Sequence, residues 1–297
     1  MNDQQQSLQR LRSSASGAAL VRAYASMEPD PAIRNPDYLA REFLDADMRP
    51  PADAPDKVKN FREELERILP GAYHFQNSRT KHIDARILAA IKGGVRQVVL
   101  LGAGFDSRAY RLGEKYPEVR FFEVDRPELQ ADKVKRVNAM LGDIPSQVRF
   151  VPLDFNNQPL SDILDAPGYN SDEPTYFNWE GVSYYLTAAG VDATLAFIAS
   201  QCRGSRVLFD YMPEAMVDGT GDYYGGAESR RHMGGMGEPL VFGIEDGTIA
   251  AFLASRGFKI LENLDHEALA ERYLRLSDGN LHGRVSGYVR IVEAEVG

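Results

Sequence analysis

Through its first quarter the chain spaces its apolar residues as helices do, and proline interrupts the pattern. An amphipathic stretch over 18–27 leads to a turn at EPDPAIRNP, then to a short helix beginning near Pro36. A second amphipathic helix is expected over 57–69, with Val58, Phe61, Leu65, Ile68 and Leu69 at helical spacing. No strand lies nearby to receive these faces. Residues 1–77 are therefore expected to form a helical lid or collar, and 78–297 the core on which it packs.

Beyond that point short apolar runs alternate with helical patterns. A helix over 78–91 precedes the all-apolar run VVLL, which passes directly into GAGFDSRAYRL. A run buried on both faces, ended by glycines and leading into a helix, is the first βα unit of a parallel sheet. Further strands are expected over 120–125, 148–155, 174–186 and 205–212. Helices stand between them, one over TAAGVDATLAFIASQC opening at a Thr187 cap. The alternation predicts an α/β fold with right-handed crossovers. FKILENL, a helical linker and GYVRIVEAEV close the chain as an antiparallel edge on the mostly parallel sheet. Between them and the fifth strand, 214–240 is rich in glycine and methionine and has no clear period, which predicts a cap inserted over the active site, bounded at 213–244. A helix over 245–256 follows it.

Composition narrows the possibilities. With 297 residues, 43% of them hydrophobic and 26% charged, the chain can bury a substantial core. No run approaches the ~18 apolar residues of a membrane span, and the N-terminus lacks a signal-peptide apolar region of roughly 7–15 residues, so a cytoplasmic protein with no membrane partner is expected. A net charge of −9 disfavours nucleic acid, whose binding depends on clustered lysine and arginine. The single cysteine, Cys202, excludes a disulfide framework and a zinc site built from several thiolates, and no metal is expected. It reads as a half-buried small apolar residue near a helix end. No sequence feature bears on oligomeric state.

The strongest local signal is Gly102-Ala-Gly104-Phe-Asp106, between a buried strand and a helix. Glycines there let the backbone approach a ligand, and a helix start offers free N–H groups. Asp125 ends the second strand about 20 residues later, where a carboxylate can accept both hydroxyls of a ribose. That combination suits an adenosine-containing cofactor. The third glycine of a dinucleotide loop is missing, and Asp106 would repel a diphosphate, whereas a sulfonium ligand with an ammonium group tolerates an acid. Asp154 falls at the third strand's C-terminal end, where it could accept from an adenine amino group. Glu180 stands in an otherwise apolar segment and needs a partner, either a ligand ammonium or an arginine.

On these residues the chain resembles the leucine carboxyl methyltransferase family, including bacterial members that act on polyketides and other small molecules. ASMEPDPAIRNP, SRTKHIDARI, VVLLGAGFDSRAYRL, FFEVDRPELQADKVKRV, VPLDF, NWEGVSYYL and GEPLVFGI carry the resemblance, in order, from about residue 18 to 258. It implies a Rossmann-like class I methyltransferase sheet that binds S-adenosyl-L-methionine. At matching positions it implies that Arg79 binds the methionyl carboxylate, Gly102 and Gly104 line the methionine moiety beside Asp106, and Asp125 holds the ribose. Leu153, Asp154 and Phe155 would read adenine, Glu180 would take the amino group, and Arg22 would help to close the lid. Arg79 paired with Asp84 is the rival reading for that arginine.

Methyl transfer is an in-line displacement, so the protein mainly orients and excludes water. An ionised carboxylate needs no base, which agrees with the lack of an obvious His–Asp pair and points to O-methylation of a small acidic substrate. Arg230, Arg231 or His232, with Tyr184, Tyr211, Tyr223 or Tyr224, would orient it. A phenol or hydroxyl acceptor is the alternative, with His232 as base. Outside the class, an NAD(P)-dependent oxidoreductase or a binding module without chemistry are the rivals.

Overall fold

The computed structural model describes residues 14–51, 55–155 and 158–297. The rest of the expected lid, 1–13 and 52–54, lies outside them. Seven strands form one sheet: β1 Gln97–Leu101, β2 Arg120–Asp125, β3 Val148–Pro152, β4 Thr175–Trp179, β5 Arg206–Tyr211, β6 Phe258–Asp265 and β7 Arg290–Val296. Their order is β3-β2-β1-β4-β5-β7-β6, with β7 antiparallel to both neighbours and the other pairings parallel. The order reverses at β1, which lies between β2 and β4. Such a reversal opens a crevice at the carboxyl ends of the strands, where ligands of open α/β sheets bind.

β1 is buried along its whole length because both sheet faces are covered. Its residues alternate between two cores: Val98 and Leu100 on one face, Val99 and Leu101 on the other. The same alternation splits β5. Leu208 packs with the first core, whereas Val207, Phe209 and Tyr211 pack with the second.

The helices are α1 Ser14–Ala25, α2 Pro55–Ile68, α3 Ala72–Lys92, α4 Arg108–Arg111, α5 Pro127–Leu141, α6 Ala188–Ala199, α7 Glu214–Val217, α8 Gly226–Gly235, α9 Ile249–Ala254 and α10 His266–Tyr273. The 21-residue α3 starts six residues before the expected helix and runs through position 77/78, the expected meeting point of lid and core. α1 and α2 pack on it, joined by Tyr24 and Phe61, whose rings stack at 3.9 Å. The helix expected near Pro36 is a single 3₁₀ turn, Ala40–Phe43. At α6, Thr187 caps the helix by accepting from the Gly190 N–H, as expected. Cys202 is half-buried just beyond it.

Three further segments differ from the sequence expectation. The fourth strand stops at Trp179, because Gly181 turns the chain at φ 72° and a short 3₁₀ turn, Ser183–Tyr185, follows. The aperiodic cap contains α7 and α8. Glycine's poor helix propensity hides α8 from the sequence, and its packing supplies the order: Ser229 is buried against Tyr288, and Gly226 lies so close to Met216 that an added Cβ would stand 3.0 Å from the sulfur. The helix expected over 245–256 shortens to Ile249–Ala254. Among the described residues no helix is long and apolar enough to cross a membrane.

Candidate active site

A cavity of about 620 Å³ opens at the carboxyl ends of β1, β2, β4 and β5, under α1 and α8. Its floor is the glycine loop. Gly102 sits at φ 67° and Gly104 at φ 41°, both in the left-handed region, and the N–H groups of Gly102 and Ala103 reach the Val124 carbonyl at 2.8 and 3.0 Å. A Cβ on Gly102 would stand 2.3 Å from Cγ2 of Val182. Gly102→Ala is therefore expected to cost about 1–2 kcal/mol for the left-handed backbone alone, and to weaken cofactor binding as Val182 is displaced. Urea denaturation and ligand titration check the two effects separately.

Asp125 ends β2 beside this loop. Its carboxylate accepts from the Gly104 N–H at 2.6 Å and the Arg126 N–H at 2.7 Å, so backbone donors hold it at the cavity wall with lone pairs to spare. Asp154 and Phe155 line the same end, and the Asp154 N–H donates to Gln158. Leu153 does not line the cavity. It is wholly buried in the second core, and its N–H donates to the Asp125 carbonyl.

Behind the loop runs a buried chain of alternating charges. Arg22 pairs with Asp37 (2.8 Å), Asp37 with Arg111 (3.4 Å), Arg111 with Asp84 (2.8 Å), and Asp84 with Arg108 (2.6 Å). Arg108 also meets Asp106 and Glu180 at 2.6 Å each. Glu180 then meets Arg79 at 2.9 Å, and Arg79 meets Asp210 at 2.5 Å. Four guanidiniums against five carboxylates leave this chain of charges one negative charge in excess, and the cavity lining itself, with Arg22, Arg79, Arg108 and Arg126 against Asp106, Asp125, Asp154, Glu180 and Glu238, carries the same excess. The chain also ties α1 to the glycine loop, since Arg22 donates to the Phe105 carbonyl at 2.7 Å.

The two acids on Arg79 titrate in opposite directions. Burial pushes Glu180 up, but Arg108, Arg79 and Arg22 outweigh it and hold its pKa at about 2. Burial also pushes Asp210 up and prevails, because only Arg79 and the Gly181 N–H oppose it. Glu180 has a second guanidinium in Arg108, and its own negative charge further raises Asp210. The rival pairing of Arg79 with Asp84 does not form, because a five-residue spacing puts the two side chains on different faces of α3.

The residues expected to orient the acceptor divide. Tyr184 and His232 line the cavity. Tyr211 does not: strand alternation turns it to the second core, where its hydroxyl donates to Asn263, and its neighbour Asp210 takes the place beside Arg79. On α8 and the residue that ends it, the cavity face is Ser229, His232, Met233 and Met236, at helical spacing. Arg230 and Arg231 fall off that face: Arg230 donates to the Met216 carbonyl, and Arg231 is exposed. Tyr223 and Tyr224 donate to Asp246 and Glu66 instead. Burial holds the Tyr184 and Tyr185 hydroxyls well above pKa 10, so both are neutral donors. Burial lowers the His232 pKa, which leaves a neutral imidazole in the cavity near neutral pH.

Asp210, Asn178, Ser229 and Tyr288 are not singled out by the sequence reading. Asp210 and Asn178 carry a usable signal, a polar side chain near the end of an apolar strand, the same one that marks Asp125. Ser229 and Tyr288, bonded to each other at 2.7 Å, carry none.

The leucine carboxyl methyltransferase family model matches residues 15–199. A Parafrankia protein named a putative S-adenosyl-L-methionine-dependent methyltransferase is 32% identical over 95% of this chain and 87% of its own length. The similarly named YktD of Bacillus subtilis is 27% identical over 89% and 91%. A solved Thermobifida fusca protein described as a putative methyltransferase shares the fold, with a TM-score of 0.58 at 16% identity over 92% of this chain and 97% of that one. The cofactor is S-adenosyl-L-methionine, and the cavity fits it: glycines without side chains at the floor, a backbone-held carboxylate at the end of β2, and a wall one negative charge in excess for a ligand with one net positive charge. This chain is an S-adenosylmethionine-dependent methyltransferase and belongs to the leucine carboxyl methyltransferase family.

Proposed function

We propose that the protein is an O-methyltransferase for a small, largely apolar molecule, and that the reacting oxygen is a hydroxyl whose proton His232 removes. One observation carries the choice of acceptor: the buried guanidiniums at the cavity, Arg22, Arg79 and Arg108, already face carboxylates, while a neutral imidazole stands on the cap side. Of these only Arg79 is assigned an anion, the cofactor's own carboxylate; the exposed Arg126 lines the cavity next to Asp125 at the ribose end, and Arg230 and Arg231, expected to grip an anionic acceptor, lie off the cavity face. Leu65, Leu69, Phe75, Met212, Met233 and Met236 supply an apolar wall.

S-adenosyl-L-methionine, when bound, supplies an electrophilic methyl group. The chain's own residues bind, orient and exclude water. Asp125 accepts from the ribose hydroxyls, and Asp154 with Phe155 faces the adenine. Arg79, whose guanidinium also donates to Gln76 at 2.7 Å, would hold the methionyl carboxylate, and Glu180 would take the amino group. The collar closes over them, with Ala15, Ala18 and Val21 on the cavity wall. Tyr184 and the Ser229–Tyr288 pair offer donors to the acceptor.

A carboxylate acceptor is the second reading, favoured by the family's own description. The pH–rate profile separates the two. With a histidine base the rate falls as pH drops, because the imidazole protonates, and burial of His232 places that fall below the ordinary imidazole value of about 6.5. His232→Gln is then expected to lower kcat about a hundredfold, at the low end of a positioned base's contribution. A profile that stays flat from about pH 8 down through the acid range in which the protein remains folded, with His232→Gln fully active, would sink the hydroxyl reading and leave the carboxylate one.

A further inference from the structure

Asn178 lines the cavity from β4, between Leu100 of β1 and Leu208 of β5 in the sheet register. It is 2% exposed, and its Oδ1 has no hydrogen-bond partner. An unsatisfied buried acceptor costs roughly 1–3 kcal/mol, so its retention at a ligand-facing position calls for a donor that arrives with the ligand. The carboxylates around it are committed. Glu180 holds Arg79 and Arg108, and Asp210 holds Arg79 and the Gly181 N–H.

Those commitments matter because an ammonium brings three donors and accepts nothing. Glu180 alone, already shared between two guanidiniums, cannot satisfy them. Asn178 lies two residues before Glu180 on the same chain segment, and it pairs with β1 two residues before Gly102, whereas Asp125 and Asp154 follow from β2 and β3 on the other side of β1. We infer that the Oδ1 of Asn178 accepts a hydrogen bond from the ammonium group of S-adenosylmethionine. Glu180 then supplies a second acceptor while keeping the two arginines in place. This assignment rests on the cofactor identity given above and is independent of which oxygen is methylated.

The test compares two ligands by calorimetry: S-adenosylhomocysteine, which carries the ammonium, and methylthioadenosine, which lacks the whole amino-acid end. Asn178→Leu is expected to weaken S-adenosylhomocysteine about ten- to a hundredfold, the range for a hydrogen bond to a charged group. Methylthioadenosine binding should stay within about twofold, the change expected where no contact is lost. Because Oδ1 has no partner within the chain, the thermal midpoint should not fall. Asn178→Ser, which cannot overpack the site, should show the same selectivity. Equal losses for both ligands, or an unchanged affinity for S-adenosylhomocysteine, would overturn the assignment. Wild-type protein that bound neither ligand would overturn the cofactor identity itself, a result the paired titrations keep distinct from failure of the Asn178 contact.

Discussion

Asp125→Ala is expected to raise the dissociation constant for S-adenosylhomocysteine by between about two and four orders of magnitude. The carboxylate would hold two ribose hydroxyls, and each hydrogen bond to a charged group contributes ~1.5–3 kcal/mol. A second effect acts in the same direction. Asp125 now accepts from the Gly104 and Arg126 N–H groups, so its removal frees the loop that forms the cavity floor. Asp125→Asn separates the two, because the amide keeps one acceptor oxygen but no charge. It should recover part of the affinity if the ribose contact dominates. Calorimetric titration of both variants reads the result, and near wild-type affinity in the alanine variant would remove Asp125 from the cofactor site.

The largest stability effect is expected at Arg108. This guanidinium is buried and touches Asp84, Asp106 and Glu180, each at 2.6 Å. Burying charged groups is costly, and removing one partner leaves the others uncompensated, typically at about 3–5 kcal/mol. Arg108→Ala should therefore lower the unfolding free energy by about that amount in urea. The deficit should shrink at low pH for a reason whose sign is definite. Glu180 has a folded pKa of about 2, below its usual 4.5, so its contribution is present above pH 4.5 and is lost as pH falls toward 2. In wild-type protein this appears as acid destabilisation over that window. In the variant the pKa of Glu180 rises, the window moves up and the slope flattens. Equal stability of the two proteins at pH 7 would show that the charge chain is dispensable to the fold.

Most of the sheet is readable in the sequence because its signals are short in range. The VVLL run, the glycines after it and the acid ending the next strand lie within 28 residues of one another, and each reports its own surroundings: burial on both faces, a backbone that only glycine adopts easily, a charge at a strand end. The antiparallel close of β6 and β7 is readable for the same reason. The reading fails where residues a few positions apart face different ways. β5 offers Asp210 and Tyr211 as neighbours and the sequence favours the aromatic, although period-two alternation sends only the acid to the cavity. In α8 the adjacent Arg230, Arg231 and His232 read as one group along the chain, and a helix turn separates them.

By itself, then, the amino-acid sequence determined the α/β architecture, the glycine loop with Asp125, and the cofactor class those imply, because each is written in local periodicity or in one residue's backbone. Only the tertiary structure decided which charges are spent. Arg108 meets Glu180 across 72 residues and Arg79 meets Asp210 across 131. Such pairings depend on how the sheet and α3 pack, and no spacing along the chain encodes them. That packing leaves the buried arginines of the cavity committed to carboxylates, the Oδ1 of Asn178 without a partner, and His232 on the cavity wall.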